Sequence, residues 1–136
     1  MLNAPWNDTQ THIYAGKYGS ALQNHFEQEG IVDDIHKSVS ALKDAVPLTP
    51  DGDPNKPTLL NNFGSSLLCR FEHLGDLSDL NMAVSVFQDA VRLTPNGHSG
   101  KPSRLSNLGI SILGRFEHLG DLSDLNTSIS VFEDAV

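Results

Sequence analysis

Arg70-Phe71-Glu72-His73-Leu74-Gly75-Asp76-Leu77-Ser78-Asp79-Leu80-Asn81 occurs a second time, unchanged, from Arg115 to Asn126, a shift of 45 residues. Extending the comparison without gaps, Pro57 to Val91 and Pro102 to Val136 agree at 24 of 35 positions. The same offset upstream aligns His12 to Val46 with Pro57 to Val91 at 12 of 35 positions, including Gly19, Phe26, Gly30, Asp44, Ala45 and Val46. Self-similarity at a fixed period of about 20 to 50 residues is the signature of a repeat array. The terminal copies of such arrays diverge because one of their faces meets solvent instead of a neighbour. The sequence therefore divides into a flexible lead over residues 1–10 and a single domain over 11–136, with repeats at 12–56, 57–101 and 102–136, the last incomplete.

Within one copy the apolar residues recur with a helical period. Leu60, Phe63, Gly64, Leu67, Phe71 and Leu74 fall at i, i+3, i+4, i+7, i+11 and i+14, which aligns them on one stripe of a helix. Pro57 suits the first turn, where its missing N–H costs nothing. Gly75 stands where a left-handed residue ends a helix, and Asp76 after it is placed to cap a second one. That second helix carries Leu80, Ala83, Val84, Phe87, Ala90 and Val91 and is expected to stop at Pro95, with the turn pair Asn96-Gly97 behind it. The segments Asp51 to Lys56 and Asn96 to Lys101 read as polar turns between hairpins. The predicted fold class is all-α: three stacked antiparallel helical hairpins forming an α-solenoid.

Composition narrows the functional classes. The 136 residues are 38% hydrophobic and include 11 glycines, a globular rather than disordered balance. Nine Lys and Arg against 17 Asp and Glu give a net charge of −8, which opposes the phosphate neutralisation on which nucleic-acid binding depends. Anionic membranes are disfavoured for the same reason. One cysteine forms no internal disulfide, no window approaches the roughly 18 apolar residues of a membrane span, and the first residues lack the pattern of a secretory signal. The expectation is an intracellular, cytoplasmic protein that binds neither nucleic acid nor membrane.

Ala83, Phe87, Ala90 and Pro95 form A-x3-F-x2-A-x4-P, and the first helix supplies Leu60-x2-Phe63-Gly64-x2-Leu67. Together these resemble the two helices of the tetratricopeptide (TPR) repeat, whose usual unit is about 34 residues. Here the first helix is longer, through Arg70-Phe71-Glu72-His73-Leu74, and so is the turn after Pro95. This long form is similar to arrays in large fungal and bacterial proteins that also carry a caspase-like CHAT peptidase domain. The resemblance implies a right-handed superhelix whose first helices line a concave surface, and a role as a non-catalytic interaction module or scaffold for a protein or peptide. The alternative it implies is a truncated regulatory or sensor array of a larger peptidase protein. Carried over position by position, the concave residues are Ile13, Gly16, Ser20 and Gln23 in the first copy, Thr58, Asn61, Ser65 and Leu68 in the second, and Ser103, Ser106, Ile110 and Leu113 in the third. Relatives that clamp a carboxylate place Lys, Arg and Asn on this surface. Only Asn61 qualifies here, so no clamp is expected, and the neutral lining suits a peptide held by backbone hydrogen bonds and apolar contacts.

Candidate chemistry is sparse. Cys69 and His73 lie four apart on one helix, a spacing that suits a thiolate with a base or two metal ligands. His73 recurs as His118, but the cysteine becomes Gly114 in the third copy and Asn24 in the first, so the pair is no part of the repeated unit. The six histidines show neither H-x3-H nor H-E-x2-H, and there is no phosphate loop or Gly-x-Ser-x-Gly elbow. Asp76 and Asp79, repeated as Asp121 and Asp124, read as capping and helix-dipole carboxylates. Arg70 and Arg115 are assigned to a solvated face or an ion pair within the repeat. Asp44, Asp89 and Asp134 form a column along the second helices that reads as a solvated face, with a basic partner as the functional alternative. No enzymatic activity, metal or cofactor is expected. Val131, Phe132 and Ala135 lack a following hairpin in this sequence, which predicts end-to-end self-association or a frayed last helix.

Overall fold

The computed structural model describes residues 11–136, so the flexible lead expected over 1–10 lies outside the described residues. Those residues form six helices and no strand: α1 Thr11–Glu29, α2 Val32–Ala45, α3 Lys56–Leu74, α4 Leu77–Arg92, α5 Lys101–Leu119 and α6 Leu122–Ala135. The helices pack in succession, α1 on α2, α3 on α4 and α5 on α6, with α2 meeting α3, α4 meeting α5, and α3 reaching both α1 and α5.

The corner inside each pair is built by the same chemistry. Gly30, Gly75 and Gly120 take φ values of 72°, 79° and 75°, a left-handed conformation that side chains disfavour. Their N–H groups donate to the carbonyls of Phe26, Phe71 and Phe116, each at 2.7 Å, closing the preceding helix. The next helix opens at once. Asp76 accepts hydrogen bonds from the N–H and hydroxyl of Ser78 at 2.9 and 2.8 Å, and Asp121 accepts the same pair from Ser123. The first copy has Ile31 at this position and no side-chain cap.

The expected apolar stripes form the core. Leu60, Phe63, Leu67, Ala83, Val84, Phe87 and Ala90 are buried together with Ala15, Val39, Leu42, Leu108 and Ile112. Leu74 departs from the expectation: the last residue of α3, it is exposed. Close approach within each pair depends on the glycines. A Cβ on Gly64 would lie 2.6 Å from Phe87 Cε1, one on Gly109 2.6 Å from Phe132 Cε1, and one on Gly19 2.8 Å from Leu42. The partner sits 23 residues after the glycine in all three cases, and it is this side chain, rather than Ala83 or Ala90, that presses closest.

The second helices end earlier than Pro95 suggested. α4 closes at Arg92, and Thr94 Oγ1 then donates to Ala90 O at 2.6 Å, as Thr49 Oγ1 donates to Ala45 O at 3.0 Å. The lysines read as the ends of polar turns are instead the first residues of α3 and α5, and their ammonium groups reach back. Lys56 Nζ donates to the carbonyls of Val46 and Thr49 at 2.7 and 2.5 Å; Lys101 Nζ donates to those of Val91 and Thr94 at 2.9 and 2.7 Å. A cation there adds a second donor to the Val46 or Val91 carbonyl, which already takes the N–H of Thr49 or Thr94, pairs the threonine carbonyl beyond it, and complements the negative end of the helix dipole. No helix among the described residues is long and apolar enough to cross a membrane.

Candidate functional site

Four of the twelve residues carried over to the concave surface come together in one depression. Ile13, Gly16, Ser20 and Thr58 line a groove of about 480 Å³ between α1 and α3, with Lys17, Ala21, Asn24, Asn55, Leu59 and Asn62. The stripe 13, 16, 17, 20, 21, 24 is one face of α1 at helical spacing, and 58, 59 and 62, with Asn55 just before the helix, form the matching face of α3. Gly16 keeps the floor open: a Cβ there would meet only Asn62 Nδ2, at 3.9 Å. The carried-over residues are neutral as expected, but the groove adds Lys17 and the amides of Asn24, Asn55 and Asn62, to which the sequence reading gave no binding role. The missed signal was geometric: the walls are the flanks of α1 and α3 that turn towards each other.

The other eight candidates are engaged or lie elsewhere. Gln23 Nε2 donates to Ser65 Oγ at 3.4 Å, and Gln23 Oε1 accepts from Ser66 Oγ at 2.8 Å, so this pair ties α1 to α3 beyond the groove. Asn61 Oδ1 accepts from Asn107 Nδ2 at 3.1 Å across to α5, beside the groove residue Thr58, whose Oγ1 accepts from Arg104 Nη2 at 3.0 Å. Ser103 Oγ donates to Gly100 O at 3.2 Å at the start of α5. Leu68, Ser106, Ile110 and Leu113 are partly or fully exposed on α3 and α5 outside the groove.

Cys69 and His73 do not form a reactive pair. The sulfur lies 4.0 Å from His73 Nδ1, which instead donates to the Cys69 carbonyl at 2.9 Å. Burial, with Glu27 and Glu72 nearby, pushes the thiol up to about 11, so it is protonated at neutral pH. A thiolate nucleophile or metal ligand needs the opposite shift. The His73 ring is used structurally, edge-on to Phe26 at 4.8 Å between centroids, and His118 repeats this on Phe71 at the same distance.

Arg70 and Arg115 form ion pairs within the repeat, with a partner the sequence reading had assigned to capping. Arg70 grips buried Asp79 through Nε and Nη2, both at 2.8 Å, and Arg115 grips Asp124 at 2.9 and 3.0 Å. The fork matches the carboxylate, which is why arginine serves here. Each carboxylate in turn holds its guanidinium above the usual range. In the first copy His25 meets Asp34 at the corresponding positions. Asp76 and Asp121 do cap, and the Ser78 and Ser123 hydrogen bonds hold their carboxyls below the usual range. Of the acidic column, Asp44 is half-buried, Asp134 is exposed, and Asp89 faces Arg92 at 3.4 Å.

The chain matches no known family, no curated protein and no solved structure.

Proposed function

We propose that this chain is a non-catalytic protein-interaction module, a TPR-like solenoid of three hairpins with a right-handed superhelix, whose first helices hold a segment of a partner protein. The groove between α1 and α3 carries this reading. Its floor of Gly16, Ser20 and Ala21 is small enough to admit an extended or helical peptide, while Lys17, Asn24 and Asn62 offer hydrogen bonds to a peptide backbone. The repeated ion pairs and caps support the scaffold half of the reading, since each holds one helix pair in a fixed shape. Enzymatic activity has no support from Cys69, the one nucleophile the sequence singled out, because it is buried and protonated.

The test is selection of peptides from an unbiased displayed library on the 136-residue chain, followed by calorimetry. Peptides with micromolar affinity are expected, with at least tenfold weaker binding to Gly16→Phe, whose ring would occupy the groove. Failure to enrich any peptide, or enriched peptides indifferent to Gly16→Phe in a folded variant, overturns the reading.

A further inference from the structure

Of the ten asparagines in the chain, only Asn96 is followed by glycine. The pair sits at the tip of the turn between α4 and α5, where the His98 N–H donates to the Pro95 carbonyl at 3.1 Å. Gly97 has a φ of 86° while Asn96 keeps a negative one, the signs of a type II β-turn with these two residues at its centre. Both are exposed. Neither the Asn96 side-chain amide nor the Gly97 N–H makes a hydrogen bond to any described residue, and a Cβ built on Gly97 would meet nothing within 4 Å. An amide carbon and a backbone nitrogen thus stand one residue apart, both open to water, with no side chain on the second to obstruct their approach.

The turn between α2 and α3 shows that such a tip stays open beside a neighbouring turn. There the Asp53 N–H closes on the Pro50 carbonyl at 3.0 Å, without a left-handed glycine. Asp51 and Gly52, the counterparts of Asn96 and Gly97, remain exposed although Leu93, Pro95 and His98 of the next turn line a cleft with them.

We propose that Asn96-Gly97 is a self-modification site, at which the side-chain amide becomes a carboxylate by deamidation with water as the only co-reactant. Gly97 N attacks Asn96 Cγ: the N–Cγ bond forms, the Cγ–Nδ2 bond breaks, and ammonia leaves, taking up through solvent the proton that the Gly97 nitrogen gave up. Ring closure turns the peptide between the two residues and opens the hydrogen bond from His98 to Pro95 that closes the turn. Water then opens the five-membered imide. Opening at Cγ yields aspartate; opening at the backbone carbonyl yields isoaspartate, with the chain running through Cγ. Nothing is oxidised or reduced, since amide and water give acid and ammonia. Aspartate at position 96 gives the second turn the charge of the first, where Asp51 Oδ1 lies 3.5 Å from Lys56 Nζ. Lys101, the counterpart of Lys56, already holds its ammonium at the equivalent carbonyls of Val91 and Thr94. The site is independent of the peptide groove, which neither Asn96 nor Gly97 lines.

The test incubates the folded chain at mildly alkaline pH and physiological temperature, beside the same chain in denaturant and the folded variant Asn96→Gln. Isoelectric focusing reads the charge. Mass spectrometry of the tryptic peptide Leu93–Arg104, whose only side-chain amide is that of Asn96, reads the position. Labelling by an isoaspartyl methyltransferase reads the product. The folded chain is expected to gain one negative charge at a rate within about tenfold of the denatured chain, in that peptide, as a mixture of aspartate and isoaspartate. Asn96→Gln, whose attack needs a six-membered ring, should change at least tenfold more slowly. Asn96→Asp, the product sequence, should match the wild-type helix content and melting by circular dichroism. A folded chain that keeps its amide while the denatured chain loses it overturns the proposal, as does charge gained first at another asparagine or gained equally fast in Asn96→Gln. An Asn96→Asp variant that melts below wild type overturns the claim that the second turn accepts the carboxylate.

Discussion

A methyl group built on Gly64 would lie 2.6 Å from Cε1 of Phe87, a ring that is itself fully buried and has nowhere to move. Helix propensity alone favours alanine over glycine by about 1 kcal/mol, and overpacking a dense core costs about 1–3 kcal/mol. The clash wins. Gly64→Ala is expected to lower stability by about 1–2 kcal/mol in urea unfolding, whereas Gly52→Ala, with nothing within 4 Å, should change it by less than about 0.5 kcal/mol. The same crowding that buries the core protonates Cys69. Its thiol, pushed up to about 11, should react with a disulfide reagent at pH 8 on the order of a hundredfold more slowly in the native chain than in denaturant. Because the folded value lies above that of a free thiol, this contribution to stability is complete at neutral pH and is lost as the pH rises through the alkaline range. Rapid native-state labelling at pH 8 would contradict both the burial and the assignment of Cys69 to packing.

At the scale of the elements, the corner Gly75-Asp76 was legible in the sequence because its chemistry is local: a left-handed glycine and an N-cap aspartate each act within a few residues. Asp79 was not, although it stands three residues further on. Its buried carboxylate is explained by Arg70, nine residues away on the preceding helix, and only the folded-back pair brings them together. The lysines at 56 and 101 were misread for a similar reason, since their acceptors lie seven and ten residues upstream on a helix that has already ended. The groove followed the same pattern: the resemblance to tetratricopeptide repeats pointed to Ile13, Gly16, Ser20 and Thr58, but Lys17 and the asparagines line the groove only where α1 and α3 come together in space. The caps have a pH consequence. Asp76 and Asp121 titrate below their unfolded value of about 3.9. Their stabilisation is therefore present above that pH and disappears as the pH falls through the folded value. Melting temperature should drop between pH 5 and 2.5, and the double variant Asp76→Asn, Asp121→Asn, which keeps a capping oxygen but no titrating group, should show a shallower fall. An unchanged slope would remove the caps from the acid response.

Over the whole molecule, burial is uneven: α4 buries seven residues from Asp79 to Ala90, while α6 buries only Ser128. Arrays in which each unit touches only its neighbours open locally, from the ends. At concentrations where the chain is monomeric, hydrogen exchange is expected to be slowest in α3 and α4 and on the order of a hundredfold faster in α6; uniform protection would show a single cooperative unit instead. The ammonium of Lys101 adds a consequence for how such a chain grows. It belongs to α5 but donates to Val91 O and Thr94 O at the end of α4, so a helix pair joined to a successor without this lysine loses two hydrogen bonds there. The segment that can be copied without a scar runs from Pro57 to Lys101, which carries its own plug for the helix before it: pasted in again after Lys101, it would restore every junction in frame. Duplication in steps of 45 residues thus has a natural seam at the repeat boundary, lying one residue inside a helix and not in the turn before it.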